Sequence, residues 1–209
     1  RPHRLVEAMI AGAGELGIPR NDDFNGASQE GAGYYQLTTR KGMRCSTAVA
    51  YLRPARGRSN LRVETSAHAT RILLEGKRAT GVTYRQDGGE KTAHAGREVI
   101  LCAGALQSPQ LLQLSGVGPA ALLQAHGIPV AHALEGVGAN LQDHLQARVI
   151  FRCTQPVTTN DVLRTWRGKL RIGLDYVLKR SGPMAVGINQ GRIFARAMGS
   201  AVRARVQFH

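Results

Sequence analysis

REVILCAGALQSPQLLQLSGVG, residues 97–118, decides how this chain is read. Glu98 to Cys102 is an apolar run of strand length, and it ends in the nearly side-chain-free triplet Ala103-Gly104-Ala105. Ser108-Pro109 follows with the chemistry of a helix N-cap and first-turn pair. Leu111, Leu112 and Leu114 then supply an apolar helical run, closed by Gly116 and Gly118. The spacing predicts a strand, a turn of minimal bulk and a helix. Such a turn lets backbone come close to a flat or charged ligand, although a plain packing unit would carry the same pattern.

Outward from that stretch, the upstream pattern is one of strands. Leu61 to Glu64 alternates and Ala69 to Glu75 follows; Gly76-Lys77 turns the chain into Ala79 to Arg85, and Gln86-Asp87-Gly88-Gly89 turns it again into Lys91 to Ala95. This predicts a β-meander leading into the strand at Glu98. Further upstream, Leu5 to Leu16 reads as a helix presenting Leu5, Ala8, Met9 and Leu16 on one side. A polar, Gly-rich loop runs from Asn21 to Gln36, and Thr47 to Leu52 reads as a short helix capped near Ser46. Downstream, Pro119 to His126 is a second short helix, Glu135 to His144 a Gly-rich loop and Val149 to Arg152 a strand. Val162 to Lys179 places Leu163, Trp166, Leu170, Leu174, Val177 and Leu178 at helical spacing, and strands are expected at Gln190 to Ala197 and from Ala204 to Phe208.

The 209 residues suffice for one large or two small domains, 43% of them apolar. No apolar run approaches the roughly 18–20 residues that span a bilayer. Cys45, Cys102 and Cys153 are odd in number and widely spaced, which reads as buried free thiols in a reducing compartment. The seven histidines form no metal-ligand spacing, so no metal site is expected. A formal net charge of +14 raises nucleic acid as a partner, and eight arginines and two lysines between Arg164 and Arg205 face the single acid Asp175. Those charges are dispersed, however, and aromatics for base stacking are scarce beyond Trp166 and Tyr176. A basic, non-catalytic nucleic-acid-binding module is therefore the alternative and not the main reading. Asp143-His144 has the residue types of acid–base chemistry, but no Gly-x-Ser-x-Gly elbow supports a serine hydrolase.

The wording of the 97–118 stretch resembles the second signature of the glucose–methanol–choline (GMC) family of FAD-dependent oxidoreductases. The matching residues are Gly104-Ala105, Ser108-Pro109, Leu111-Leu112 and Ser115-Gly116-Val117-Gly118, in that order and spacing. The resemblance extends along the chain. It takes in Asp23-Phe24-Asn25-Gly26, Gln29-Glu30-Gly31 and Gly33-Tyr34-Tyr35-Gln36 in a substrate-domain loop, and Arg71-Ile72-Leu73 with Gly81-Val82 in the meander. It continues through Gly136-Val137-Gly138 with Asn140 and Asp143-His144, and through Gly182-Pro183 with Phe194-Ala195-Arg196.

The resemblance implies an α/β fold with α+β character: part of a Rossmann-like FAD-binding domain with its β-meander, plus segments of a substrate-binding domain. The expected division is 1–42 substrate-domain segment, 43–106 FAD-domain segment, 107–145 connecting region and 146–209 substrate-domain segment. FAD is the implied cofactor. Ala69 is the implied main-chain adenine contact, and Ala103 and Gly104 are the small residues beside the dinucleotide. Asn140 to His144 becomes a loop near the cofactor. The pyrophosphate-binding Gly-x-Gly-x-x-Gly turn is absent from the 209 residues, as is the late catalytic histidine pair. The family places these before Arg1 and beyond His209, so the chain reads as an internal segment, inactive and prone to self-association on its own. The implied parent oxidises a small-molecule alcohol to an aldehyde or ketone, in the cytoplasm or peripheral to a membrane; the residues do not name its electron acceptor. In choline-oxidising members a glutamate facing the trimethylammonium group stands at the position of Gln190, and Arg192 is adjacent. A neutral alcohol is therefore expected over choline.

Overall fold

The computed structural model describes residues 3–187, 189–196, 204 and 206–209. Its principal elements in chain order are α1 (Arg4–Glu15), β1 (Gly31–Tyr34), β2 (His68–Glu75), β3 (Arg78–Gln86), β4 (Gly89–His94), α2 (Gly104–Leu114), α3 (Ala120–Ala125), α4 (Thr159–Leu163), α5 (Trp166–Lys179), β5 (Gly191–Ala195) and β6 (Val206–Phe208). They fall into two compact units, one made of residues 1–61 and 149–209, the other of residues 62–148.

In the first unit β5 is the centre of a three-stranded antiparallel sheet, between β1 and β6. Helix α1 starts where the His3 ring accepts a hydrogen bond from the Leu5 N–H (3.3 Å) and ends before Gly17, whose φ is +78°. Its inward stripe is Val6, Ile10 and Ala13, packed with Ala32, Tyr34 and Ile193 of the sheet. That corrects the expected stripe. Leu5 and Leu16 are exposed, because the sheet offers room where Gly191 lacks a side chain, opposite Val6 and Met9.

The amphipathic run after Val162 is also not one helix. Thr158 and Asp161 form a reciprocal capping box for α4, and Thr165 is extended and caps α5 by accepting from the Gly168 N–H (3.1 Å). Only Ile172 of α5 is buried; Trp166, Leu170, Leu174 and Leu178 are exposed, contrary to the expected inward stripe. Strands β5 and β6 form as expected, shortened to Gly191–Ala195 and Val206–Phe208; Ala197 and Arg205 lie outside the described residues.

The second unit holds the meander β2–β3–β4, antiparallel and in sequence order. Asp87 and Gly88 both take positive φ (54° and 79°), the geometry that a two-residue hairpin between twisted strands requires. A register shift between Ala69 and Arg71 leaves Thr70 as the extra residue, and its hydroxyl lies 3.0 Å from that of Thr83. Helix α2 packs on β2, and a short parallel ladder pairs Val117 and Gly118 with His132 and Ala133.

Three expected strands are not strands. Leu61–Glu64, Glu98–Cys102 and Val149–Arg152 have no ladder partner among the described residues. An apolar run supplies a face to bury, but a strand exists only through its neighbour's hydrogen bonds. The cysteines follow suit: Cys102 and Cys153 are exposed and Cys45 is half-buried, so the expectation of buried thiols fails where the surrounding runs stay unpaired.

Candidate functional site

Sheet β1–β5–β6 has a helix-covered face and an opposite face where polar and aromatic groups collect. Ala32, Tyr34 and Ile193 pack toward α1, and the Tyr34 hydroxyl donates to Glu7 Oε1 (2.9 Å). Burial, and secondarily that bond, pushes the Tyr34 phenol up. Strand alternation turns Arg192 and Phe194 to the other side. There the Phe24 and Phe194 rings meet edge-on, 5.2 Å between centroids, and the Arg192 guanidinium stacks over Tyr35 (3.7 Å) and beside Phe194 (4.9 Å). Gln190, two residues before Arg192, is half-buried, and its carbonyl accepts from the Tyr35 N–H (2.8 Å).

The loop after α1 is drawn over this face by its own sequence. Asn21 Nδ2 donates to the carbonyls of Ser28 (2.8 Å) and Glu30 (3.1 Å), while its Oδ1 accepts from the Asp23 N–H (2.9 Å). One asparagine thus closes a ten-residue loop. The loop sits so close to the sheet that a Cβ on Gly33 would overlap the Asn21 carbonyl. Glu30 then pairs with Arg196 at 2.6 Å, and the carboxylate raises the arginine's pKa.

In the second unit the signature stretch forms a turn that corrects the sequence reading in one respect. Helix α2 begins at Gly104, so Ser108 and Pro109 lie inside it and not at its start. Ser108 still serves the turn, accepting from the Ala103 N–H at 3.1 Å. Gly104 has φ +87°, which favours glycine, and nothing lies within 4 Å of where its Cβ would stand. Ala103 is exposed beside it, as is Ala69 on the edge strand β2. The end of the signature is a clamp. Ser115, 2% exposed, accepts from the Ile72 N–H on β2 (2.8 Å) and donates to the Leu111 carbonyl (2.5 Å). Gly116, at φ +87°, lets the chain pass Pro129, whose carbonyl would lie 2.5 Å from a Cβ.

An open groove of about 690 Å³ runs between α2 and the 138–142 loop, lined by Ala105, Pro109, Gln113, Gly138, Asn140 and Leu141 among others. Gln113 holds that loop by donating to the Val137 carbonyl (3.0 Å), and Gly138 leaves room for the amide. Ala69, Ala103 and Gly104 therefore lie in one unit, on elements that pack together, whereas Gln190 lies in the other. Sequence reasoning missed Tyr35 as a platform and the Ser115 clamp. The first follows from strand pairing that brings Arg192 to Tyr35, 157 residues away in sequence, and has no local signal. The second was present as a serine closing an apolar helix.

Residues 1–146 match the GMC oxidoreductase family profile, and the chain belongs to that family. It is 47% identical over 208 residues to the oxygen-dependent choline dehydrogenase of Yersinia pseudotuberculosis serotype IB (strain PB1/+), covering 98% of this chain and 36% of that protein. The enzyme of the same name from Burkholderia thailandensis is 46% identical over 206 residues, with the same coverage. The chain thus spans about a third of the length of these relatives. Among solved structures, an FAD-dependent oxidoreductase from Chaetomium thermophilum superposes with a TM-score of 0.77 at 26% identity, over 91% of this chain and 34% of that one. A formate oxidase from Aspergillus oryzae RIB40 gives 0.76 at 27%, over 92% and 33%. These matches confirm the expected family and the mixed fold with a partial FAD-binding domain, and lend no support to the nucleic-acid-binding alternative. No helix among the described residues is long and apolar enough to cross a membrane.

Proposed function

We propose that this chain is the middle part of an FAD-dependent oxidoreductase that oxidises the CH–OH group of a small alcohol to an aldehyde or ketone. The reading is carried by the Ala103–Gly104 turn, where a backbone with positive φ and open space on its side-chain side is held in place by Ser108 and Ser115. A flat dinucleotide needs that kind of close, side-chain-free approach. Ala103 and Gly104 would pass beside the FAD, Ala69 would offer main-chain atoms to its adenine, and the 138–142 loop would line the same region. FAD bound there supplies the two-electron acceptor for the hydride that leaves the carbinol carbon.

The assigned division differs from the two compact units at residues 43–61, which cluster with the first unit. Residues 43–106 are assigned to the FAD domain and 107–145 to the region connecting it onward, with 1–42 and 146–209 as substrate-domain segments. The base that takes the hydroxyl proton is assigned beyond His209, so no catalytic residue is placed in this chain. Gln190 is assigned to the substrate. Its neutral amide offers no charge to a quaternary ammonium, and the cation of Arg192, two residues on, repels one. Loss of such an ion pair costs roughly 1–3 kcal/mol, about tenfold to a hundredfold in selectivity. The test is kcat/KM of the full FAD-loaded enzyme on choline and on uncharged primary alcohols. A preference for the uncharged alcohols is expected, and a clear preference for choline refutes the assignment of Gln190.

A further inference from the structure

We propose that Arg192 is an anion-recognition residue on the substrate face, so that the preferred alcohol carries a carboxylate at the end away from its hydroxyl. The inference rests on the functional reading above and extends it from rejection of a cation to selection of an anion. Its starting point is a cation without a counter-charge. The Arg192 side chain is half-buried, its guanidinium lies 3.7 Å over the Tyr35 ring and 4.9 Å from Phe194, and Nε is buried without a hydrogen-bond partner. Among the described residues no carboxylate pairs with it, whereas Arg196, four residues on, pairs with Glu30 at 2.6 Å.

Stacking on an aromatic ring satisfies the flat faces of a guanidinium but leaves its five N–H donors, which lie in the plane, still to be served. The stack also fixes that plane, so the donors point in set directions at little further entropic cost. A carboxylate is the group whose two oxygens match such a fork bidentately. The rest of the face agrees with this use. Gly33, the strand neighbour opposite Arg192, is covered by the Asn21 carbonyl and brings no charged side chain to the guanidinium, and Gln190 supplies an uncharged donor and acceptor two residues away. An amide to hold the hydroxyl end of the molecule and a fixed cation for the other end together select a hydroxy-carboxylate.

The test uses the FAD-loaded protein with 4-hydroxybutanoate and 1-butanol as substrates and butanoate as an unreactive probe, in wild type, Arg192→Met and Arg192→Lys. Met keeps the packing stem and removes the charge; Lys keeps the charge without the fork. Wild type is expected to prefer 4-hydroxybutanoate in kcat/KM by roughly tenfold to a hundredfold. That preference, read as the ratio of kcat/KM on the two alcohols within each variant, should vanish in Arg192→Met and partly survive in Arg192→Lys. Independently of turnover, butanoate should shift the Arg192 side-chain nitrogen resonances saturably, and butanamide should not. Equal kcat/KM on the two alcohols in wild type, or resonances that butanoate leaves unmoved, overturns the proposal and makes Arg192 a packing cation on Tyr35. If no alcohol reduces the flavin, the functional reading fails while the butanoate titration still decides the role of Arg192.

Discussion

Replacing Ser115 by alanine removes one oxygen from the join between the signature helix α2 and the meander strand β2. The hydroxyl accepts from the Ile72 N–H at 2.8 Å and donates to the Leu111 carbonyl at 2.5 Å, in a setting where Ser115 is 2% and Ile72 7% exposed. The two losses are unequal. The Leu111 carbonyl keeps its bond from the Ser115 N–H (3.1 Å), so it stays satisfied. The Ile72 N–H has no second acceptor and is left buried and unpaired. An orphaned buried donor costs about 1–3 kcal/mol, whereas a bond whose partners both keep alternatives costs less. The expected loss for Ser115→Ala is therefore about 1–3 kcal/mol, read from the shift of the urea midpoint at constant m-value. Hydrogen exchange locates it: the Ile72 amide should lose protection by more than its neighbours Arg71 and Leu73. A midpoint change below about 0.5 kcal/mol, in the range of ordinary surface substitutions, with Ile72 exchange unaltered, refutes the clamp.

Two glycines in the first unit should respond in opposite directions. Gly33→Ala drives a Cβ into the Asn21 carbonyl and should destabilise by about 1–3 kcal/mol or more. Gly12→Ala, mid-helix in α1 with nothing within 4 Å, should stabilise by about 0.5–1 kcal/mol; thermal melts of the pair showing the same sign would contradict the packing described. The Asp161 carboxyl is held below the usual carboxylate range, chiefly by the Thr158 hydroxyl and then by the Thr158 N–H. Because its folded value is depressed, its contribution to the α4 cap is present above the unfolded value near 3.9 and is lost as pH falls through the folded one. A carbon-detected titration should give a midpoint below about 3.9, moving up in Thr158→Val; an unmoved midpoint would sink the assignment.

The meander was legible from residues 69 to 95 because its signals are local, with alternation for the faces and Gly76 and Asp87-Gly88 for the turns. The strand-turn-helix was legible as wording, but its geometry was not. Ser108-Pro109 looks like a helix start, yet Gly104 can take the left-handed φ that begins the helix five residues earlier. Leu163 to Leu178 shows what periodicity omits, since an apolar stripe specifies a face but not what covers it. The segments at 98–102 and 149–152 make the same point for strands. On the candidate substrate face, Gln190 came from aligned wording, but the Tyr35–Arg192 stack depends on β1 pairing with β5, a contact no local pattern encodes.

Whether FAD on this scaffold accepts hydride from an alcohol is read directly by anaerobic mixing of the FAD-loaded enzyme with excess primary alcohol while following the visible flavin absorbance. A single-turnover bleaching is expected, slowed several-fold when the carbinol hydrogens are deuterium, because that C–H bond breaks in the reductive step. Flavin that stays oxidised with cationic, neutral and carboxylated alcohols alike, or a protein that retains no FAD, would contradict that reaction.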